Sequence, residues 1–124
     1  MKLMIVDDSS MVRGRVARIV AQGRLPGIAQ TAQARDGREA LQIAQRLRPE
    51  LVTMDLTMPE LDGLACIPPL LELLPDASVL VLSALDDKST AIQALRRGAR
   101  GFLSKPFGDD ELVLALMDLM DGRR

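Results

Sequence analysis

Asp7 and Asp8 follow one short apolar run, Asp55 follows another, Ser83-Ala84 a third and Lys105-Pro106 a fourth. Carboxylates brought together repel, and each raises the pKa of the others, so such a cluster is stable at neutral pH only around a cation. Oxygen donors without a histidine or thiol beside them select a hard ion, Mg²⁺ or Mn²⁺. Lys105 would add a fixed positive charge and Ser83 a hydrogen-bond donor. One carboxylate between a divalent metal and a lysine is a nucleophile prepared for an incoming phosphoryl group. Metal and lysine would neutralise the phosphoryl oxygens, and the hydroxyl would donate a hydrogen bond to one of them.

For these residues to meet, the runs before them must be strands of one sheet with their carboxyl ends on the same rim. The pattern supports this. Lys2–Val6, Leu51–Met54 and Ser78–Leu82 are apolar without polar alternation, as in strands covered on both faces. Ile28–Ala34 is a weaker strand and Gly101–Leu103 a short one. Helical patterns lie between them. Ser9 or Ser10 can cap a helix carrying Val12, Val16, Ile19 and Val20 on one face, ended by Gly23 and Pro26-Gly27. Asp36-Gly37 opens a second helix, with Ala40, Ile43, Ala44 and Leu47 on one face and Pro49 closing it. The loop Thr57-Met58-Pro59-Glu60-Leu61-Asp62-Gly63 leads to an apolar helical stretch that ends near Pro75. Lys88–Arg97 is helical up to Gly98, and Asp109-Asp110-Glu111 place acids in the first turn of a helix over Leu112–Met120. Strict alternation predicts an α/β fold: a single doubly wound five-stranded parallel sheet with helices on both faces. Ligands of such a sheet bind outside the carboxyl ends of its strands, where the acids, Ser83 and Lys105 fall.

Pro68-Pro69 disturb the third helix. Two prolines inside a helix each cost roughly 3 kcal/mol, and residues before prolines avoid the α region. The helix is expected to start late, near Pro69, or to kink there.

Composition narrows the chemistry. The 124 residues suffice for one domain, and 48% apolar with 27% charged residues is the mix of a globular protein. There is no histidine, which excludes Ser-His-Asp and Cys-His catalysis, His-ligated metals and a phosphohistidine on this chain. The single cysteine, Cys66, excludes an internal disulfide and any multi-cysteine metal site, and is read as a small buried residue. A net charge of −1 and an absence of Trp and Tyr argue against direct binding of nucleic acid. The apolar run Leu3–Val6 is too short for a signal peptide or a membrane span, so no membrane insertion and a cytoplasmic location are expected. Met4 and Met54 are read as core, and Arg13, Arg15 and Arg18 as a solvated face of the first helix.

Taken together, Asp7-Asp8, Asp55 within M-D-L-T-M-P-E-L-D-G, Ser83-Ala84 and Lys105-Pro106 resemble the receiver domain of bacterial two-component response regulators. The resemblance runs from Lys2 to about Met120, and V-D-D-S-S-M-V-R is most similar to chemotaxis-type single-domain regulators. It implies a flavodoxin-like strand order, 2-1-3-4-5, with residues 1–124 forming the receiver domain. It implies that Asp55 accepts a phosphoryl group from a sensor histidine kinase, a phosphotransfer protein or a small donor. Mg²⁺, with Mn²⁺ as a substitute, would be held by Asp8, Asp55 and the backbone carbonyl of Thr57, with Asp7 acting through water. Lys105 would bind the phosphoryl group and precede a cis proline bond, and Ser83 would be the switch hydroxyl. Phe102 matches the aromatic switch position, where a missing phenol oxygen leaves packing alone to drive the change, unless it is plain core. Output would pass to a downstream protein through helix 4, strand 5 and helix 5, with no enzymatic activity and no output domain on this chain. The chain is then a complete single-domain protein or one domain of a longer one. A phosphatase of the haloacid dehalogenase type would need an acid two residues after its nucleophile, where Thr57 stands. A pseudo-receiver that binds partners without phosphorylation would not need the full acid set.

Overall fold

The computed structural model of the chain describes residues 1–58, 61–84 and 88–122. Pro59 and Glu60, in the loop read after Asp55, lie outside the described residues. The strands are β1 (Lys2–Val6), β2 (Gln30–Ala34), β3 (Leu51–Asp55), β4 (Ser78–Ser83) and β5 (Gly101–Ser104). The helices are α1 (Ser10–Ala21), α2 (Gly37–Leu47), α3 (Gly63–Leu73), α4 (Lys88–Arg96) and α5 (Asp109–Asp121). All strand pairs are parallel, in the order β2-β1-β3-β4-β5. This is the expected doubly wound fold.

Burial separates the central strands from the edge strand β2. Every residue of β3 and β4 is buried, as is β1 after Lys2, because helices cover both faces there. The edge strand β2, Gln-Thr-Ala-Gln-Ala, buries only Ala34. Ile28 is buried too, but lies before the strand, in a turn closed by its N–H donating to the Leu25 carbonyl. Met4, Val52, Met54, Val79 and Val81 form one core layer with α2 and α3 residues such as Ala40, Cys66 and Leu70. Leu3, Ile5, Leu51, Leu80 and Leu82 form the other with Val16 and Ile19 of α1 and Leu112 and Leu116 of α5. No described helix is long and apolar enough to cross a membrane.

Three of the helices that leave the functional rim, α1, α2 and α3, begin with side-chain caps. Ser9 Oγ accepts from the Val12 N–H at 3.3 Å, Asp36 Oδ1 from Glu39 at 2.8 Å and Asp62 Oδ1 from Ala65 at 2.9 Å. The late start expected for α3 is overturned: the helix begins at Gly63, with Pro68 and Pro69 inside it. Capping by Asp62 and burial of Cys66, Ile67 and Leu70 stabilise the early turns against the proline penalty. Local propensity yields here to tertiary packing.

At the far end of α2, Arg48 adopts the left-handed region with φ 52°. A side chain there costs on the order of 1 kcal/mol, and glycine is the usual residue. Arg48 recovers part of that by donating from Nη2 to the Leu73 carbonyl at 3.2 Å, an exposed bond. Arg48→Gly is therefore expected to stabilise the fold by about 0.5 kcal/mol, read as a rise in the urea midpoint at unchanged slope. A fall would show that the arginine bond outweighs the strain.

Candidate phosphoryl-acceptor site

The carboxyl ends of β1 and β3 meet at one rim. One carboxylate oxygen from each of Asp7, Asp8 and Asp55 lies within 4.8 Å of the others. Asp7 and Asp55 are buried, whereas Asp8 is exposed. Lys105 reaches in from beyond β5, its Nζ 2.8 Å from Asp7 Oδ2 and 3.4 Å from Asp55 Oδ1. The expected trio of acids and the lysine are thus brought together, and the Lys105-Pro106 peptide is cis as anticipated.

The acids are not equivalent. Asp7 has both oxygens engaged: Oδ1 accepts from the Ser9 N–H at 2.9 Å and Oδ2 from Lys105. Asp8 retains an exposed carboxylate at the mouth. Asp55 is raised from 3.8 to about 6, first by burial and then by the charge of Asp7, against the pull of Lys105 and of the Thr57 N–H. Like charges crowded in a poorly solvated place create a demand for a cation. An all-oxygen donor set meets that demand with a hard divalent ion, so the residues fit Mg²⁺. Burial alone would lower the Lys105 ammonium, but its hydrogen bond to Asp7 and the Asp55 charge hold it above its ordinary value. It stays cationic at any physiological pH.

Ser83 ends β4 and is fully buried. Its carbonyl accepts from the Lys105 N–H at 2.8 Å, which fixes the lysine main chain beside β4. Phe102 pairs with Val81 and Ser104 with Ser83, so Ser83 and Phe102 are diagonal neighbours on one sheet face. Phe102 is only partly buried, packed against the α2–α3 layer. Thr57 is exposed, with its N–H 3.4 Å from Asp55 Oδ1.

Three residues gain roles that sequence patterning did not give them. Gly63 donates to the Leu56 carbonyl at 3.1 Å, so closely that a Cβ would fall 2.2 Å from the Asp55 carbonyl oxygen. The Asp-Gly pair that opens α3 is the clue in the sequence. Arg13 and Arg15 are not the solvated face expected. Arg13 Nη1 donates to the Asp7 carbonyl at 2.6 Å and its Nε to Gln33 at 3.2 Å, while Arg15 turns towards the start of α5. Both guanidiniums reach past the polar face of their helix, which a face-by-face pattern does not register. Arg18 is exposed as expected. Cys66 is buried, its thiol donating to the Gly37 carbonyl at 3.6 Å and pushed up to about 11 by burial and by the charges of Asp62 and Asp36. It is inert core, as read.

Similar proteins match over most of this chain. The chemotaxis protein CheY of Thermotoga maritima is 35% identical over 115 residues, 93% of each chain. CheY of Listeria monocytogenes is 34% identical over 116 residues, 94% of this chain and 95% of the relative. The CheX-CheY-BeF3-Mg complex from Borrelia burgdorferi superposes with a TM-score of 0.89 at 28% identity, over 97% of this chain and 89% of that one. A Burkholderia pseudomallei response regulator, solved with a phosphorylated aspartic acid, calcium ion and citrate, gives 0.83 at 32% identity over 98% and 70%. Residues 3–117 match the response regulator receiver domain, and with the strand order and the acidic rim already in place, the chain belongs to that family.

Proposed function

We propose that this receiver domain, taken as residues 1–124, works as a switch, not an enzyme, and that Asp55 is its phosphoacceptor. The observation that carries the reading is the Lys105 ammonium lodged between Asp7 and Asp55, with a third carboxylate within ligand distance. The donor is a sensor histidine kinase or a phosphotransfer protein. An Asp55 oxygen bonds to phosphorus as the phosphorus–nitrogen bond of the donor's phosphohistidine breaks. The electron pair returns to the imidazole, and an acyl phosphate remains on Asp55.

Asp8, Asp55 and the Thr57 carbonyl would hold Mg²⁺, with Mn²⁺ as a substitute. Asp7, whose oxygens are already engaged, would act through water. The ion supplies charge neutralisation for the acids and the incoming phosphoryl oxygens. Lys105 balances the opposite side of the phosphoryl group, and the Ser83 hydroxyl reads its arrival. Phe102, one pleat from Ser83 on the same face, would follow by repacking. The output surface is then α4–β5–α5, where Ile92, Leu95, Leu114 and Met117 are exposed apolar residues suited to a downstream protein. Neither nucleic acid nor membrane is a direct partner, and the setting is the cytoplasm.

Acetyl phosphate with Mg²⁺ should add one phosphoryl mass, mapped to Asp55 by borohydride reduction and peptide sequencing. Label at another residue would overturn the assignment. Asp8→Ala should lose metal binding and labelling together, by about 10²-fold or more, while the fold persists because Asp8 is exposed. Normal labelling in that variant would remove Asp8 from the metal site.

A further inference from the structure

Lys105 can do its work only if its ammonium keeps the position it holds between Asp7 and Asp55. Its main chain is tied on the near side by the bond to the Ser83 carbonyl. On the far side the loop is anchored by Phe107, which is 5% exposed and belongs to the α1–α5 core layer. Arg15, from the middle of α1, fastens that anchor. Its Nη2 donates to the Phe107 carbonyl at 2.6 Å and its Nε to Asp109 Oδ1 at 2.9 Å. Its guanidinium carbon stands 4.7 Å from the centre of the Phe107 ring. The planar fork thus makes two directed bonds and one stacking contact on a single short segment.

We propose that Arg15 is a positioning residue for Lys105, an inference that rests on the phosphoryl-acceptor reading above. Phe107 lies two residues beyond Lys105, and an extended chain gains at most about 3.6 Å per residue. A shift of the anchor therefore passes into the lysine. The same helix also holds the other half of the site. Ser9 caps α1 and donates its N–H to Asp7, and Arg13 donates to the Asp7 carbonyl. α1 is thus a common mount: its start grips the end of the strand that leads to Asp7 and Asp8, and its middle grips the loop that carries the lysine. A misplacement of about 1 Å between such groups can cost up to about a hundredfold in rate. Because the Ser83 tie remains, loss of Arg15 should cost less than that.

Labelling rates from acetyl phosphate, Mg²⁺ affinity and thermal unfolding would be measured on the full chain. Arg15→Met keeps an apolar stem over Phe107 and removes the fork. It should slow labelling about 5- to 10-fold and leave Mg²⁺ affinity within about twofold, because the metal donors lie at the ends of β1 and β3. Arg15→Lys should recover only part of the rate, since an ammonium lacks the fork. The deciding readout is a double-mutant cycle: in a Lys105→Ala background, Arg15→Met should cause no further loss. A residue that merely stabilises the fold would slow both backgrounds alike, and that additive result, or full-rate labelling in Arg15→Met, overturns the proposal. If Arg15→Met does not unfold cooperatively, Asp109→Ala, which removes one of the contacts, takes its place in the cycle with an expected loss of about 2- to 3-fold. A parent chain that takes no label overturns the phosphoryl-acceptor reading itself, whereas a labelled parent with an additive cycle overturns only the role of Arg15.

Discussion

Asp55→Asn is expected to abolish labelling from a phosphodonor and, in metal-free buffer, to fold more stably than the parent. The first effect is loss of the nucleophile: a neutral amide has no charge to offer phosphorus, and the remaining acids are engaged or exposed at the mouth. The second follows from the raised carboxyl of Asp55, from 3.8 to about 6. The folded state holds this proton more tightly than the unfolded chain does. The stability linked to it is fully present below about pH 4 and is lost as pH rises through about 6. The difference between variant and parent should thus be small at pH 4 and grow to about 2–3 kcal/mol at pH 8. Urea unfolding across that range would measure it. Mg²⁺ should shrink the gap, because the ion stabilises the charged carboxylate of the parent and has less to hold in the variant. A difference that does not change with pH would show that burial and crowding of the Asp55 carboxylate are not what strains the metal-free site.

Gly63→Ala is expected to cost about 3 kcal/mol, a fall in melting temperature of roughly 10 °C, and to slow labelling as well. The three atoms nearest the added carbon would all be backbone: the Asp55 carbonyl oxygen at 2.2 Å, the Leu56 Cα at 2.8 Å and the Asp55 carbonyl carbon at 2.9 Å. None of these can swing aside as the tip of a side chain could. Relief must come from moving the start of α3 or the segment that presents Asp55, so stability and chemistry should suffer together. Gly14→Ala is the matched control. It lies within α1 with nothing inside 4 Å of the added carbon, and should stabilise by about 0.5–1 kcal/mol. Equal effects at the two glycines would refute the close-approach argument.

The parts of the molecule that could be read in advance are those in which one physical constraint dominates. β3 and β4 are buried along their whole length, so apolarity alone marks them, and an acid at the end of such a strand is conspicuous. That is why the sequence pattern alone points Asp7, Asp8, Asp55 and Lys105 to one rim. β2 is an edge strand whose glutamines are exposed, so apolarity points to the buried Ile28, two residues before its true start. The start of α3 was obscured by a conflict between levels, because propensity at Pro68-Pro69 opposes a helix that the Asp62 cap and the buried Cys66, Ile67 and Leu70 favour. Arg13 and Arg15 were hidden for another reason. Arg13 reaches Gln33, 20 residues away, besides the nearby Asp7 carbonyl, and Arg15 reaches Asp109, 94 residues away; long side chains form such bonds at a range that periodicity does not encode.

The prolines of α3 have a further consequence, for hydrogen exchange. Neither Pro68 nor Pro69 has an amide hydrogen, so the carbonyls of Leu64 and Ala65 cannot receive the usual bonds from one turn ahead. The rungs of the helical ladder are missing at its middle, next to the loop that follows Asp55. Amides in the first turns of α3 need break fewer bonds to open, and should trade deuterium sooner than those of α2, which packs on the same core layer with its ladder whole. The chain would then breathe first on the side where Asp55 is presented, while the sheet beneath stays protected.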